Sequence, residues 1–210
     1  MITLVFADDY AVTRAGIRAL LSAAPDIQIL GEAENGEDAK ELVLQLHPQI
    51  LLLDLKMPGP SAAQIEKWVR TNCPETCTLV LTAHDHDAYL TAMLDAGAVG
   101  YIGKNESAER LIGAIRRAAE GEILFDFDQI NRAQEWRKAA GDKWASLSER
   151  ERQILVQLAQ GLDRAAISAS LQIVPKTVEF HITHILKKLG VKSYMDAVIW
   201  MHRYFPAEQG

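Results

Sequence analysis

Cysteine is scarce in this chain: 210 residues contain two, Cys73 and Cys77. They stand in Asn-Cys-Pro-Glu-Thr-Cys without the further Cys or His ligands that a zinc centre would need at suitable spacing, so they read as reduced thiols. Long apolar runs are missing too. Stretches such as Ile50–Leu53 fall far short of the roughly 20 residues needed to cross a bilayer, and Met1–Phe6 lacks the basic flank and cleavage site of a signal peptide. The expectation is a soluble, cytoplasmic protein with no membrane partner. Neither internal repeats nor low-complexity segments occur, and with 49% apolar and 24% charged residues the composition is that of ordinary globular domains. The length is comfortable for two of them.

Positive charge is also short overall, at 22 Lys and Arg against 28 Asp and Glu, a formal net charge of −6. The balance is informative only when the chain is cut. From Ser146 onward eight basic residues face six acidic ones, a formal +2, which leaves −8 for the first part. Any basic partner surface therefore belongs to the C-terminal end.

Short apolar runs alternate with amphipathic stretches from Ile2 to Ala119: Ile2–Ala7, Ile27–Ala33, Ile50–Asp54, Thr78–Thr82 and Val99–Ile102 have strand character, and each is followed by a helical pattern. Asn35-Gly36 and Pro58-Gly59-Pro60 supply turns. Five strands alternating with five helices specify a doubly wound α/β domain, a five-stranded parallel sheet covered on both faces, spanning residues 1–121. Residues 122–145 fit neither period over any long window and read as a linker, in part helical. Residues 146–210 show four helical patterns, Glu149–Gln160, Arg164–Leu171, Lys176–Leu189 and Tyr194–His202, separated by Gly161, Pro175 and Gly190, and so form a small all-α domain.

In a parallel α/β sheet ligands gather beyond the carboxyl ends of the strands. Asp8 and Asp9 end the first strand, Asp54 the third and Thr82 the fourth, and Lys104 lies just past the fifth. Any one strand-end carboxylate is more often a helix cap or a solvated charge. Five suitable residues, each at the correct strand end, reverse that preference. Clustered carboxylates raise one another's pKa unless a cation neutralises them, and Mg²⁺ typically takes one or two carboxylates plus phosphate oxygens. Asp8, Asp9 and Asp54 are the candidate ligands. A carboxylate can attack phosphorus and form an acyl phosphate. Asp54 is the central candidate, with Lys104 as fixed positive charge and the Thr82 hydroxyl as donor to a phosphoryl oxygen. The run His84-Asp85-His86-Asp87 reads as a solvated loop, because consecutive ligands do not face one another.

Residues 1–121 resemble the receiver domains of response regulators. The resemblance is carried by Asp8-Asp9, by Asp54 within Leu-Asp-Leu-Lys-Met-Pro-Gly, by Leu81-Thr82-Ala83 and by Gly100-Tyr101-Ile102-Gly103-Lys104. It implies a flavodoxin-like fold, Mg²⁺ on Asp8, Asp9 and Asp54, phosphorylation of Asp54 by a histidine kinase, and a switch shared by Thr82 and Tyr101. Two positions depart from the pattern: Ala62, where Gly is common, and Gly103, where an apolar residue commonly precedes the lysine.

On a helical wheel Val178, Ile182, Ile185 and Leu189 form one stripe, while Lys176, Phe180, Thr183 and Lys187 lie opposite, flanked by Glu179 and His184. A phenylalanine between lysines on the outward face fits a helix that enters the major groove. A solvated face with a stray aromatic explains that helix alone about as well. With the preceding helix and the turn Gln172–Pro175, the segment fits a helix-turn-helix. Residues Leu147–Trp200 resemble the LuxR-type helix-turn-helix of the NarL/FixJ class through Leu147-Ser148-Glu149-Arg150-Glu151, Gln160-Gly161-Leu162, Lys176-Thr177-Val178-Glu179-Phe180-His181 and Leu186-Lys187-Lys188-Leu189-Gly190-Val191. That resemblance implies base contacts from Glu179, Phe180 and Thr183 and phosphate contacts from Lys176, Thr177, Lys187 and Lys188. Ala165, Ala166, Ser168 and Ser170 stand where the family commonly has polar, acidic or basic residues, which removes possible contacts to the DNA backbone, so weak affinity per monomer is expected.

The two resemblances together imply a transcription regulator that binds double-stranded DNA, is phosphorylated at Asp54 by a cognate histidine kinase and forms a homodimer when phosphorylated. It is not an enzyme beyond its own phosphorylation and dephosphorylation: a phosphatase using Asp54 would carry a second acid two residues on, and that position is Lys56. A phosphorylation-independent or partner-binding regulator, with the receiver as a dimerisation scaffold, is the alternative reading.

Overall fold

A computed structural model describes residues 1–83 and 85–205. The chain divides into two compact units, one of residues 1–85 and 89–130, the other of residue 131 onward together with 86–88. Five strands form the first unit's sheet: β1 (Ile2–Ala7), β2 (Ile27–Ala33), β3 (Ile50–Leu53), β4 (Cys77–Thr82) and β5 (Gly100–Gly103). They are all parallel and lie in the order β2-β1-β3-β4-β5. Between and after them run α1 (Ala11–Leu21), α2 (Gly36–Leu46), α3 (Ala62–Asn72), α4 (Asp87–Ala96) and α5 (Ala108–Ala119).

The strands read as unbroken apolar runs because both faces of the sheet are covered. Successive side chains point to opposite faces, which sorts the core into two clusters. Val5, Ala7, Leu51, Leu53, Val80 and Tyr101 share one with Ala39 and Val43 of α2, Ile65 and Val69 of α3, and Leu90 and Met93 of α4. Leu4, Phe6, Ile50, Leu52, Leu79 and Leu81 share the other with Leu21 of α1 and Leu111, Ile115 and Ala118 of α5. Caps fix where helices begin: the Asn35 side chain accepts from Asp38 N, and Ser61 and Gln64 form a reciprocal capping box at α3.

The register sets the functional edge. Ala7 pairs with Leu53, and Thr82 pairs with Gly103, so the strands end level. Backbone hydrogen bonds continue past those ends, from Asp8 N to Ala33 O (3.1 Å), Asp54 N to Ala7 O (2.9 Å) and Lys104 N to Thr82 O (2.7 Å). Each functional position is thereby tied to its neighbouring strand.

Residues 122–145, expected to be a linker, carry helical structure: α6 (Phe127–Trp136), a π-helical stretch Arg137–Gly141 and α7 (Asp142–Ser146). After them come α8 (Glu149–Ala159), α9 (Arg164–Ser170), α10 (Pro175–Leu189) and α11 (Tyr194–Tyr204). One cluster holds these helices, with Ile154, Leu155, Ile167, Val178, Ile182, Ile185, Leu189 and Trp200 at its centre and Trp136, Ala140, Trp144 and Phe205 packed into it. Pro175 opens α10, where its missing N–H is harmless, and Gly190 closes it at φ 70°, a left-handed conformation that suits glycine.

Candidate functional site

Asp8 and Asp54 are buried side by side at the carboxyl edge of the sheet, and Asp9 beside them is exposed. One carboxylate oxygen from each lies within 4.8 Å of the others. Lys104 reaches in from the end of β5, its Nζ 2.6 Å from Asp8 Oδ2 and 3.2 Å from Asp54 Oδ2. Thr82 is buried at the end of β4. The structure thus brings together Asp8, Asp9, Asp54 and Lys104, with Thr82 at the adjoining strand end. Tyr101, on β5, is buried in the same apolar cluster as Leu90 and Met93, and its carbonyl accepts from Gln129 Nε2 at 3.0 Å.

Burial pushes the Asp54 pKa up and the neighbouring Asp8 charge adds to this, while Lys104 opposes both. Burial also lowers the Lys56 pKa, against the pull of Asp54. Two of the three clustered carboxylates, Asp8 and Asp54, meet the Lys104 ammonium, and Asp54 Oδ1 is buried without a hydrogen-bond partner among the described residues. A buried carboxylate oxygen left unpaired is costly, and a hard divalent cation bound by oxygen ligands removes that cost. The donor set therefore fits Mg²⁺.

Sequence reasoning passed over Arg14. This buried residue of α1 donates from Nη1 to Asp8 O at 2.7 Å and pairs with Glu34, which holds the Asp8-Asp9 turn against the end of β2. Its signal was a cation among the apolar positions of an amphipathic helix. At Gly103, a departure from the common pattern, an added Cβ would meet only the end of the Asn105 side chain, which would have to turn aside. His84 lies outside the described residues.

In the second unit α10 buries Val178, Ile182, Ile185 and Leu189 and exposes Lys176, Glu179, Phe180, Thr183 and Lys187, as its wheel predicts. Phe180 is 57% exposed and stacks at 4.2 Å between centroids on His184. Thr177 is half-buried. The Thr183 hydroxyl donates to Glu179 O at 3.0 Å, and Glu179 faces Arg164 of α9 at 3.5 Å. Lys188 is exposed on α10 too, but its ammonium already lies 2.7 Å from Oε2 of buried Glu151, the acid of the α8 capping box, an ion pair that competes with the expected phosphate contact. Ser168 and Ser170 also serve the fold, Ser168 donating to Ile173 O in the turn and Ser170 accepting from Gln157 Nε2 at 3.1 Å.

Residues 4–116 match the response regulator receiver domain, and residues 145–201 match the bacterial regulatory proteins of the luxR family. The chain belongs to the response regulators. It is 35% identical to the nitrate/nitrite response regulator protein NarL of Escherichia coli (strain K12) over 210 residues, covering 96% of this chain and 95% of NarL. To the oxygen regulatory protein NreC of Staphylococcus epidermidis it is 37% identical over 205 residues, covering 93% of this chain and 94% of NreC. Among solved structures it is similar to RcsB of Salmonella enterica serovar Typhimurium bound to promoter rprA in the presence of phosphomimetic BeF3−, with a TM-score of 0.63 at 25% identity, covering 96% of this chain and 98% of that one.

This response regulator is of the NarL/FixJ class: a receiver followed by a LuxR-type DNA-binding domain, a regulator of transcription within a two-component system and not a metabolic enzyme. Receiver domains of response regulators use Mg²⁺ for phosphorylation, and the architecture implies a histidine kinase and DNA as partners. No helix among the described residues is long and apolar enough to cross a membrane.

Proposed function

We propose that Asp54 is the phosphoacceptor of this regulator, that Asp8, Asp9 and Asp54 hold Mg²⁺, and that Thr82 and Tyr101 carry the switch. The observation that supports this best is the buried Asp54 carboxylate, with one oxygen unpartnered and the other 3.2 Å from Lys104 Nζ. An Asp54 oxygen attacks phosphorus in line with the departing imidazole nitrogen of the kinase, the P–N bond breaks as the P–O bond forms, and the imidazole leaves with the displaced electron pair. Mg²⁺, when bound, neutralises charge on the phosphoryl oxygens and keeps Asp54 ionised. Lys104 holds a fixed positive charge beside the same oxygens, and the Thr82 hydroxyl donates to one of them.

Phosphorylation adds roughly −1.5 to −2 charges at a site where Lys104 and Thr82 can form new charge-assisted hydrogen bonds. Turning a two-state receiver from 1:99 to 99:1 takes about 5.5 kcal/mol of differential stabilisation, within reach of several such bonds plus the cation. The working division is a receiver over 1–121, a connecting segment over 122–145 and a DNA-binding domain over 146–210. The regulator acts in the cytoplasm and forms a homodimer on phosphorylation. Its DNA face is Lys176, Thr177 and Lys187 toward phosphates and Glu179, Phe180 and Thr183 toward bases. Acetyl phosphate with Mg²⁺ labels the wild type and leaves Asp54→Asn unlabelled. Undiminished labelling of Asp54→Asn, read by intact-protein mass, overturns the acceptor assignment.

A further inference from the structure

The edge of the sheet opposite the acidic site carries a second group of ligand atoms. His47 follows α2 and leads into β3; Cys73 and Glu75 follow α3 and lead into β4. A nitrogen, a sulfur and a carboxylate oxygen from these three residues lie within 4.8 Å of one another. The His47 and Glu75 side chains are exposed, and Cys73 is buried behind them. We propose that His47, Cys73 and Glu75 form a binding site for a borderline divalent transition metal ion, Zn²⁺ fitting best, independent of the Mg²⁺ site.

Ligand chemistry selects the ion. One imidazole, one thiolate and one carboxylate are a donor set for zinc, whereas Mg²⁺ takes oxygen ligands and has little affinity for sulfur. On binding, the Cys73 S–H bond breaks, its proton passes to solvent and the sulfur's electron pair forms the metal bond. His47 binds as neutral imidazole, so the dication is balanced by one thiolate and one carboxylate, and water fills the open position.

The geometry is close to assembled. His47 Nδ1 lies 3.0 Å from Glu75 Oε1. Two such atoms bound tetrahedrally to one zinc, at about 2.0 to 2.2 Å each, stand roughly 3.3 to 3.6 Å apart, so a small side-chain adjustment opens the pair to the ion. His47 and Cys73 are the C-terminal cap residues of α2 and α3, adjacent helices whose backbone N–H groups at these caps bond back to Val43 O (3.0 Å) and Val69 O (2.8 Å). Helix C-termini carry partial negative charge, so both ends favour a cation here. His47 takes the left-handed conformation, φ 43° and ψ 56°, at a position that glycine or asparagine usually fills. The two-cysteine motif alone hid the site because its histidine comes from 26 residues upstream, brought in by the β3–β4 pairing.

Bound metal would join the loop before β3 to the loop before β4, clipping neighbouring strands at their amino ends. The test uses the full chain with Co²⁺ as a spectroscopic probe, in excess Mg²⁺ so that the acidic site does not report. Wild type and Asp54→Asn should develop a thiolate-to-cobalt charge-transfer band that one equivalent of Zn²⁺ abolishes. Cys73→Ser and His47→Asn should lose the band, and Cys77→Ser should keep it. The asparagine variant keeps a residue that tolerates the left-handed cap, so its loss of binding is not a folding failure. Absence of the band from wild type, or its persistence at unchanged affinity in His47→Asn or Cys73→Ser, overturns the proposal.

Discussion

Glu66 has no exposed surface, and its carboxylate lies on the inner side of α3, 3.2 Å from Arg70 Nε and beside Thr78 of β4. Burial pushes its pKa up to about 7, and the Thr78 hydroxyl and Arg70 only partly offset that. A carboxyl whose folded pKa is raised binds its proton more tightly in the folded chain. Its contribution is therefore favourable at low pH and is lost as pH rises from the ordinary value of 4.5 toward 7. The loss is on the order of 3 kcal/mol once both states are ionised. Glu66→Gln should accordingly stabilise the first unit at about pH 8, hardly change it at about pH 5, and flatten the slope between; denaturant titrations at both values check this, and parallel slopes in the two proteins refute it. Helical spacing with Ala62, Ile65 and Val69 already places Glu66 on an apolar stripe, so its burial was legible. The five strand-end residues were legible for a different reason, because strand ends in a parallel sheet converge whatever the loops do. The His47–Cys73–Glu75 group was not, since its histidine and its other two ligands come from different βα units; Arg14 was marked only as a cation on the apolar side of α1, and local spacing does not show its second partner, Glu34 beyond β2.

Among the elements, α10 shows how far periodicity carries and where it stops. A 3.6-residue repeat fixes which face is buried, and Val178, Ile182, Ile185 and Leu189 obey it. It cannot say whether an outward lysine is free, since that depends on the facing helix. Lys187 and Lys188 look alike in sequence, yet Lys188 reaches Glu151 of α8. Glu151 is held below the usual carboxylate range: burial raises its pKa, but Lys188 and the hydrogen bonds to Ser148 outweigh it. The pair's stabilisation is thus present above the unfolded carboxylate pKa and lost as pH falls through the lower folded value. Lys188→Ala should destabilise the helical unit by about 1 to 3 kcal/mol, because a buried carboxylate loses a partner. Lys187→Ala should instead leave stability alone, weaken specific and random DNA alike and lower the salt dependence by about one counterion. Glu179→Ala should change which sequence is selected, with about 1 to 3 kcal/mol at stake per lost base pairing. Binding-site selection and salt titration separate the three. A Lys188 variant of normal stability whose DNA binding falls as far as that of Lys187→Ala would return Lys188 to the phosphates.

Across the whole molecule the sequence separates a sheet-forming unit from a helical one but leaves 122–145 without a clear period. Residues Trp136, Ala140 and Trp144 are the positions that enter the helical core, four residues apart on one side of the α6–α7 stretch. The pattern is faint because alanine marks a buried position no better than a solvated one: Ala139 is exposed and Ala140 is fully buried. Gly141 and the charged residues around it dilute the signal further. Tertiary contacts supply what the pattern lacks. Trp144 packs on Phe205 with ring centroids 4.4 Å apart, Arg152 lies over the Trp144 ring at 5.3 Å, and Phe205 also meets Trp136 at 5.5 Å and Trp200 at 5.7 Å. The end of the connecting segment and the end of α11 thus share one aromatic cluster, and the connecting segment takes part in the stability of the helical unit. Trp144→Ala in the full chain should lower that unit's stability by about 2 kcal/mol, below the roughly 3 to 5 kcal/mol of a fully buried tryptophan because this one is only partly covered. Lys143→Ala, one residue earlier and exposed, should change nothing. Hydrogen exchange read by mass spectrometry resolves the outcome by element: protection should fall in α8, α10 and α11 of the Trp144 variant and hold in β1, β3 and β4. If both variants exchange like the wild type, then residues 136–144 are only a tether and the aromatic cluster contributes nothing to the helical fold.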